Sequence, residues 1–215
     1  MSKTLSDYLF YHEPGPPEIS IYLGDCLEVM PLLPKVDLVI TDPPYGIDFT
    51  QRTTGKKILG DDVAFDPTIL FKAGSKYFIW GANHFHHLLP HGGQFHVWLK
   101  RAVEVAATKS YSDCEFAWCS ESKSSKVFRL ISDGCIREGE EFGIKRVHPS
   151  QKPRELMRWS IRLTGEGLIL DPFMGSGSTL VAAKELRQPA IGIELDESYC
   201  ESAKTRLKNT IVPFL

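Results

Sequence analysis

The chain has 215 residues, 42% of them hydrophobic, with 25 basic and 27 acidic side chains and a formal net charge of −2. That is enough apolar material for one substantial core, so a single domain is expected over residues 1–215. No apolar stretch reaches the length of a membrane span, the N-terminus lacks a basic region followed by an apolar one, and the charge balance argues against a dedicated nucleic-acid binder.

In chain order, a strand at Ile19–Leu23 leads through Gly24-Asp25-Cys26-Leu27 into a helix at Cys26–Leu33. A second strand, Val36–Thr41, ends in Asp42-Pro43-Pro44-Tyr45. A helix at Pro67–Lys72, a strand at Lys76–Trp80, a helix at Asn83–Leu88 and strands at Gln94–Leu99 and Glu115–Cys119 follow. Pro153 opens a helix at Arg154–Leu163, whose apolar stripe includes Leu156, Trp159 and Ile161 and which Gly165 terminates, with Trp159 read as core packing. The chain closes with a strand at Leu168–Asp171, a helix at Thr179–Leu186, a strand at Ala190–Ile193 and a helix at Ser198–Lys208. Alternation of this kind predicts an α/β fold with a mainly parallel central sheet and helices on both faces.

Two segments carry the chemistry. Asp42-Pro43-Pro44-Tyr45 sits at the carboxyl end of a strand, the edge where open α/β sheets bind ligands. Its prolines fix two φ angles and remove two donors, leaving nearby carbonyls free to accept. Asp42 and the Pro43 carbonyl can then accept from one NH2 group, while Tyr45 offers a flat face to a planar ring. The plain alternative is a proline turn with Tyr45 packed on the core.

The second segment runs from Asp171 through Pro172, Phe173, Gly175, Ser176 and Gly177 to Ser178 and Thr179, and joins a strand to a helix. Its glycines allow a tight turn and close backbone approach, and Ser178 or Thr179 can cap the helix. A third glycine is missing where a dinucleotide fingerprint needs it, because Leu180 stands there, and there is no Gly-Lys-Ser/Thr of a phosphate loop. Glu194, at the end of the next strand, is placed to take ribose hydroxyls. The ligand expected is a nucleoside without a pyrophosphate, a description that S-adenosylmethionine fits.

Taken together, these motifs resemble the beta group of DNA amino-methyltransferases, in which D-P-P-Y precedes the cofactor loop. Gly24-Asp25-Cys26-Leu27 is similar to the family segment whose acid contacts the cofactor's adenine, with Cys26 in packing or a backbone contact. His148-Pro149-Ser150-Gln151-Lys152-Pro153 resembles the H-P-x-Q-K-P segment beside the methionine end, which brings Lys152 into the cofactor site. The resemblance covers roughly residues 19–207 and implies a Rossmann-like methyltransferase fold, S-adenosylmethionine as methyl donor, and double-stranded DNA as substrate with its target base flipped out. It also implies a cytoplasmic, prokaryotic or phage-encoded enzyme of the restriction-modification kind.

Residues 46–66 and 120–147 lack a clear element and are expected to be DNA-contacting loops or a minimal target-recognition region, the first through Gln51, Arg52, Lys56 and Lys57. Such brevity predicts recognition that is short, relaxed or shared with a second copy in a homodimer. Residues 120–165 carry a local charge of +4 and the first 41 residues −4, which suits one basic face. His84, His86, His87, His91 and His96 lack a metal-binding spacing and are read as surface or loop histidines, some able to meet phosphate. The five cysteines are read as reduced and mostly buried. Direct transfer needs no covalent intermediate and hence no catalytic cysteine.

Asp42 at the head of the tetrapeptide points to adenine, since relatives acting on cytosine tend to have serine there. The alternatives carried are an N4-cytosine enzyme, a catalytically silent DNA-binding subunit, and a protein-glutamine methyltransferase, from which Asp42 and the motif order depart.

Overall fold

Strand residues alternate between two buried faces, and that alternation builds three layers. The computed structural model describes residues 3–46, 65–101, 112–133, 136–139 and 151–212. Its central strands in chain order are β2 (Ile19–Leu23), β3 (Leu38–Thr41), β4 (Lys76–Trp80), β10 (Ile169–Asp171) and β11 (Ala190–Glu194). Ile19, Ile21, Leu38, Ile40, Phe78, Trp80 and Ile169 point to one side; Val39, Tyr77, Ile79, Leu170, Ile191 and Ile193 point to the other. A period of two with both sides apolar is what a sheet covered on both faces requires.

Among the described residues, nine strands form one sheet in the order β1-β2-β11-β10-β3-β4-β6-β5-β7. The block from β2 to β4 is parallel. β1 (Leu9–Glu13) adds antiparallel to β2 at one edge. At the other side, β6 (Cys114–Cys119) runs antiparallel to both β4 and β5 (Gln94–Leu99), and β7 (Val127–Arg129) lies parallel to β5. β8 (Ser132–Asp133) and β9 (Ile136–Arg137) form a separate small hairpin.

One face is covered by three helices: α2 (Arg154–Thr164), α3 (Ser178–Glu185) and α4 (Glu197–Lys208). Leu156, Met157 and Ile161 of α2 are almost completely buried, and each contributes roughly 1.5–3 kcal/mol relative to exposure. The opposite face is covered by α1 (Cys26–Val29) together with Tyr8, Leu70, Ala82 and Phe85.

Several expectations are corrected. β1 was not anticipated: its pattern of exposed and half-buried residues is that of an edge strand, and such a strand carries only a weak apolar signal. The helix expected over Cys26–Leu33 is one α-turn followed by a 3-10 turn at Met30–Leu32, because Pro31 has no N–H to continue an α-helix. The elements at Pro67–Lys72 and Ala82–Leu88 are 3-10 helices, the second interrupted at Phe85. Within 120–147, residues read as loop form β7, β8 and β9. Residues 47–64, 134–135 and 140–147 of the two expected DNA-contacting segments lie outside the described residues, as do His148, Pro149 and Ser150. His96, read as a surface or loop histidine, is fully buried against Phe78 and Trp159. Its imidazole accepts from the Lys126 backbone N–H at 3.0 Å and bonds Ser122 at 2.8 Å, which fixes the turn between β6 and β7.

The connections place the site. From β10 the chain crosses through α3 to β11 on one side, whereas β3 pairs with β10 on the other and leads on to β4. The order of the sheet therefore reverses between β10 and β3, the point where such sheets open a ligand crevice.

Gly177 is critical to that geometry. It begins α3 at φ 79°, and a Cβ there would lie 2.7 Å from the Cβ of Ala203 on α4. Gly177→Ala combines left-handed strain with overpacking, so it is expected to lower stability by about 2 kcal/mol or more. Chemical unfolding of the two proteins measures this directly, and equal midpoints would refute it.

Candidate active site

The two chemical segments meet at the reversal point. Thr41, the last residue of β3, donates its hydroxyl to Asp171 Oδ1 at 2.8 Å, and the Thr179 hydroxyl donates to Asp171 Oδ2 at 2.5 Å. The Phe173 backbone N–H adds a bond to Oδ1 at 3.2 Å. Asp171 is thus the buried knot that holds the end of β3, the turn after β10 and the first turn of α3. Burial pushes its carboxyl up to about 6, against the pull of these three donors.

Ser178 and Thr179 do not cap α3 as the sequence suggested. Gly177 stands at the N-cap, the Thr179 hydroxyl is turned to Asp171, and the Ser178 hydroxyl accepts from Arg206 of α4 at 3.2 Å. Arg206 also donates to the Ser176 carbonyl at 2.7 Å, so α4 clamps the glycine turn from behind. That arginine was not among the expected site residues, being one cation on an amphipathic helix.

Glu194 stands at the end of β11. Its carboxylate accepts from the backbone N–H groups of Gly175 at 2.9 Å, Leu195 at 2.9 Å and Asp196 at 2.8 Å. Burial moves it above the ordinary carboxylate range even so. Asp25 lies at the end of neighbouring β2, exposed, with one oxygen accepting from the Leu27 N–H of α1 at 2.8 Å. Cys26 is buried with its thiol pushed up to about 12, so it stays protonated and is no nucleophile. Pro172 and Phe173 follow Asp171, and Phe173 meets Phe65 edge-on at 5.2 Å.

On the other side of Asp171 lies the tetrapeptide. Asp42 is partly exposed, Pro43 buried, and Pro44 and Tyr45 intermediate. The Tyr45 hydroxyl donates to Asp42 Oδ1 at 2.5 Å. Lys152, from the segment before α2, places its ammonium 2.5 Å from Asp42 Oδ2, not on the glycine turn. The same ammonium lies 3.0 Å from Glu115 Oε2 on β6, and Glu115 Oε1 accepts from Lys100 at 2.8 Å.

Lys152 is 8% exposed, and although burial works against its charge, the two carboxylates hold it well above the ordinary ammonium value. Lys152 and Lys100 in turn hold Glu115 down to about 2 against burial. Burial pushes Asp42 above the usual carboxylate range while Lys152 pulls the other way. Glu115 escaped the sequence reading because it sits as one acid within an apolar strand.

The Tyr45 ring packs over Gly81, whose positive φ of 67° turns the chain after β4; a Cβ there would collide with the ring. The His84 imidazole lies nearly parallel to Tyr45, 15° apart with centroids at 4.9 Å. Among the described residues, no group of three His, Cys, Asp or Glu side chains is arranged to hold a metal ion.

A buried, hydrogen-bonded carboxylate thus joins the tetrapeptide strand to the glycine turn at the sheet reversal. A family model of the N6/N4 type, described as DNA methylase, matches residues 96–205, a little over half of the chain, and the chain belongs to that family. It is 26% identical over 248 residues to the type II methyltransferase M.HinfI of Haemophilus influenzae, covering 88% of this chain and 68% of that one. Among solved structures, the M1.HpyAVI complex with S-adenosylmethionine superposes with a TM-score of 0.62 at 26% identity, covering 88% of this chain and all of that one. The cytosine-N4-specific PvuII methyltransferase shares the fold at a TM-score of 0.61 and 19% identity, over 87% of this chain and 86% of that one.

The raised Asp171 fixes a sign for pH dependence. A carboxyl that holds its proton more tightly folded than unfolded favours the native state at low pH, and stability is lost as pH rises from about 4 through about 6. Relative to Asp171→Asn, wild type should therefore lose on the order of 1–3 kcal/mol between pH 4 and 7. Melting temperatures of both proteins across that range measure it; a constant difference would refute it.

Proposed function

We propose that the protein transfers a methyl group from S-adenosylmethionine to the exocyclic N6 amine of an adenine flipped out of double-stranded DNA. The observation that carries this reading is the Asp42 carboxylate, ion-paired with Lys152 and set beside the glycine turn at the sheet reversal.

The residues present suit the cofactor. The carboxylates of Asp25 and Glu194 end the neighbouring strands β2 and β11, where acceptors suit hydroxyl and amine hydrogens. The turn from Pro172 to Gly177 gives close backbone approach, with Gly175 and Gly177 both at positive φ. Asp25 and Glu194 would hold the nucleoside part, and Gly175, Ser176 and Gly177 would line the approach to the reacting carbon. When bound, S-adenosylmethionine supplies an electrophilic methyl group on a sulfonium.

Adenine's amine is a weak nucleophile because its lone pair is delocalised into the ring. Asp42 accepts one amine hydrogen and the Pro43 carbonyl the other, which favours a pyramidal nitrogen and frees the lone pair. Two of the carboxylate's roughly four acceptor positions are taken by Tyr45 and Lys152, and the others remain for the amine. Positive charge growing on nitrogen is stabilised by Asp42 and the carbonyl dipole in a partly desolvated site. Tyr45 holds the base by stacking. The parallel His84 imidazole supports this role, because it occupies the geometry of a flat ring laid on Tyr45.

Asp42→Ala is expected to lower methyl transfer by at least about 10³-fold while S-adenosylmethionine binding stays within a few-fold. Nucleoside mass spectrometry of treated unmethylated DNA, with cofactor binding by calorimetry, checks both; N6-methyladenine supports the reading, whereas N4-methylcytosine or undiminished turnover in the variant overturns it.

A further inference from the structure

Four charged side chains from four parts of the chain converge behind the tetrapeptide. Asp42 follows β3, Glu115 lies on β6, Lys100 follows β5, and Lys152 precedes α2. They alternate in sign along one line of contacts: Lys100 to Glu115 at 2.8 Å, Glu115 to Lys152 at 3.0 Å, Lys152 to Asp42 at 2.5 Å. The Trp80 ring lies below Lys152, with the ammonium 5.8 Å from its centroid. Burying charges in this way is costly unless each is paired, and a core filled with apolar residues would be at least as stable. Pure stability therefore does not explain the line.

We propose that Glu115 and Lys152 are positioning residues for Asp42: Glu115 anchors the Lys152 ammonium, and that ammonium fixes Oδ2 of Asp42 and keeps the carboxylate ionised as the amine acceptor. The inference rests on Asp42 being that acceptor. It differs from the cofactor contact that the sequence resemblance implied for Lys152, because the ammonium is directed at Asp42 and Glu115.

The chemistry follows from the order of charges. A carboxylate with one oxygen pinned by an ammonium cannot rotate freely, so its remaining lone pairs keep one direction. A protonated Asp42 would lose acceptor capacity and could not offset positive charge on nitrogen. Glu115 acts on Asp42 in two opposed ways. It secures Lys152, and its own negative charge raises the Asp42 carboxyl. The charged and titratable groups that bear on Asp42 are Tyr45 on its own turn, Lys152, Glu115 on β6, Lys100 through Glu115, and Asp171 on β10.

The two positions make opposite predictions. Lys152→Met removes the cation, so Asp42 should titrate at higher pH than in wild type. Glu115→Gln removes a like charge while its amide oxygen still accepts from the Lys152 ammonium and so keeps the anchor, and Asp42 should titrate at lower pH. The acid limb of single-turnover methyl transfer should move in the same two directions, with the rate at neutral pH in Lys152→Met lowered roughly 10²-fold. Cofactor affinity should stay within a few-fold in both variants.

The test is a side-chain carboxyl NMR titration of Asp42 in the full-length protein, in wild type and both variants, with Asp42→Ala used to assign the resonance. Opposite displacements support the inference, and if one variant does not fold, the sign of the other decides. A merely structural role would leave the midpoint unmoved or move it the same way in both variants, and either result overturns the proposal. Loss of cofactor binding in Lys152→Met with an unmoved Asp42 would return Lys152 to the cofactor site and overturn it too. The NMR readout does not depend on turnover. An inactive wild type with opposite displacements would thus remove the assigned reaction alone, whereas an active one with unmoved midpoints would remove this inference alone.

Discussion

The hydrogen bond from Thr41 to Asp171 joins two segments 130 residues apart, and the site depends on it. β3 and β10 are short parallel neighbours whose paired register covers only Ile169 with Leu38 and Leu170 with Val39. Beyond that register the two strands no longer pair with each other, although Asp171 still pairs with Gly192 and Thr41 with Ile79. The Asp171 carboxylate ties the two ends together directly, by taking the Thr41 and Thr179 hydroxyls on different oxygens. Its burial is costly, as the raised carboxyl shows, and the rest of the fold supplies the stability that keeps it there.

Around that bond the molecule separates two kinds of carboxylate. Asp171 and Glu194 have their oxygens engaged by groups of the fold and shape the glycine turn. Asp42 is held from one side by an ammonium and a phenol and is partly exposed. Differences in surroundings, more than in residue type, give the three acids different duties.

Much of this was legible because it is local. D-P-P-Y after an apolar run, and Gly-x-Gly between a strand and a helix, each imply a conformation within a few residues, and their order along the chain implied the family. The strands of the parallel block were found with their boundaries within two residues, because burial on both faces leaves a dense apolar signal. Edge elements were missed for the converse reason. β1 and β7 have exposed residues along them, and β8 and β9 are two residues each. Glu115, Arg206 and the buried His96 were also invisible as functional or structural positions, since nothing in their immediate neighbours marks them.

The sequence by itself determined the class of fold and the two motifs, because those depend on backbone restrictions and residue types within a short window. Only the tertiary structure decided which groups surround each acid. It sent the Lys152 ammonium to Asp42 and Glu115, turned Thr179 to Asp171, laid His84 on Tyr45 and brought Arg206 behind the glycine turn. All of these but the Thr179–Asp171 bond, which spans 8 positions, join residues tens of positions apart, and their energies depend on distances and burial that exist only once the sheet has assembled.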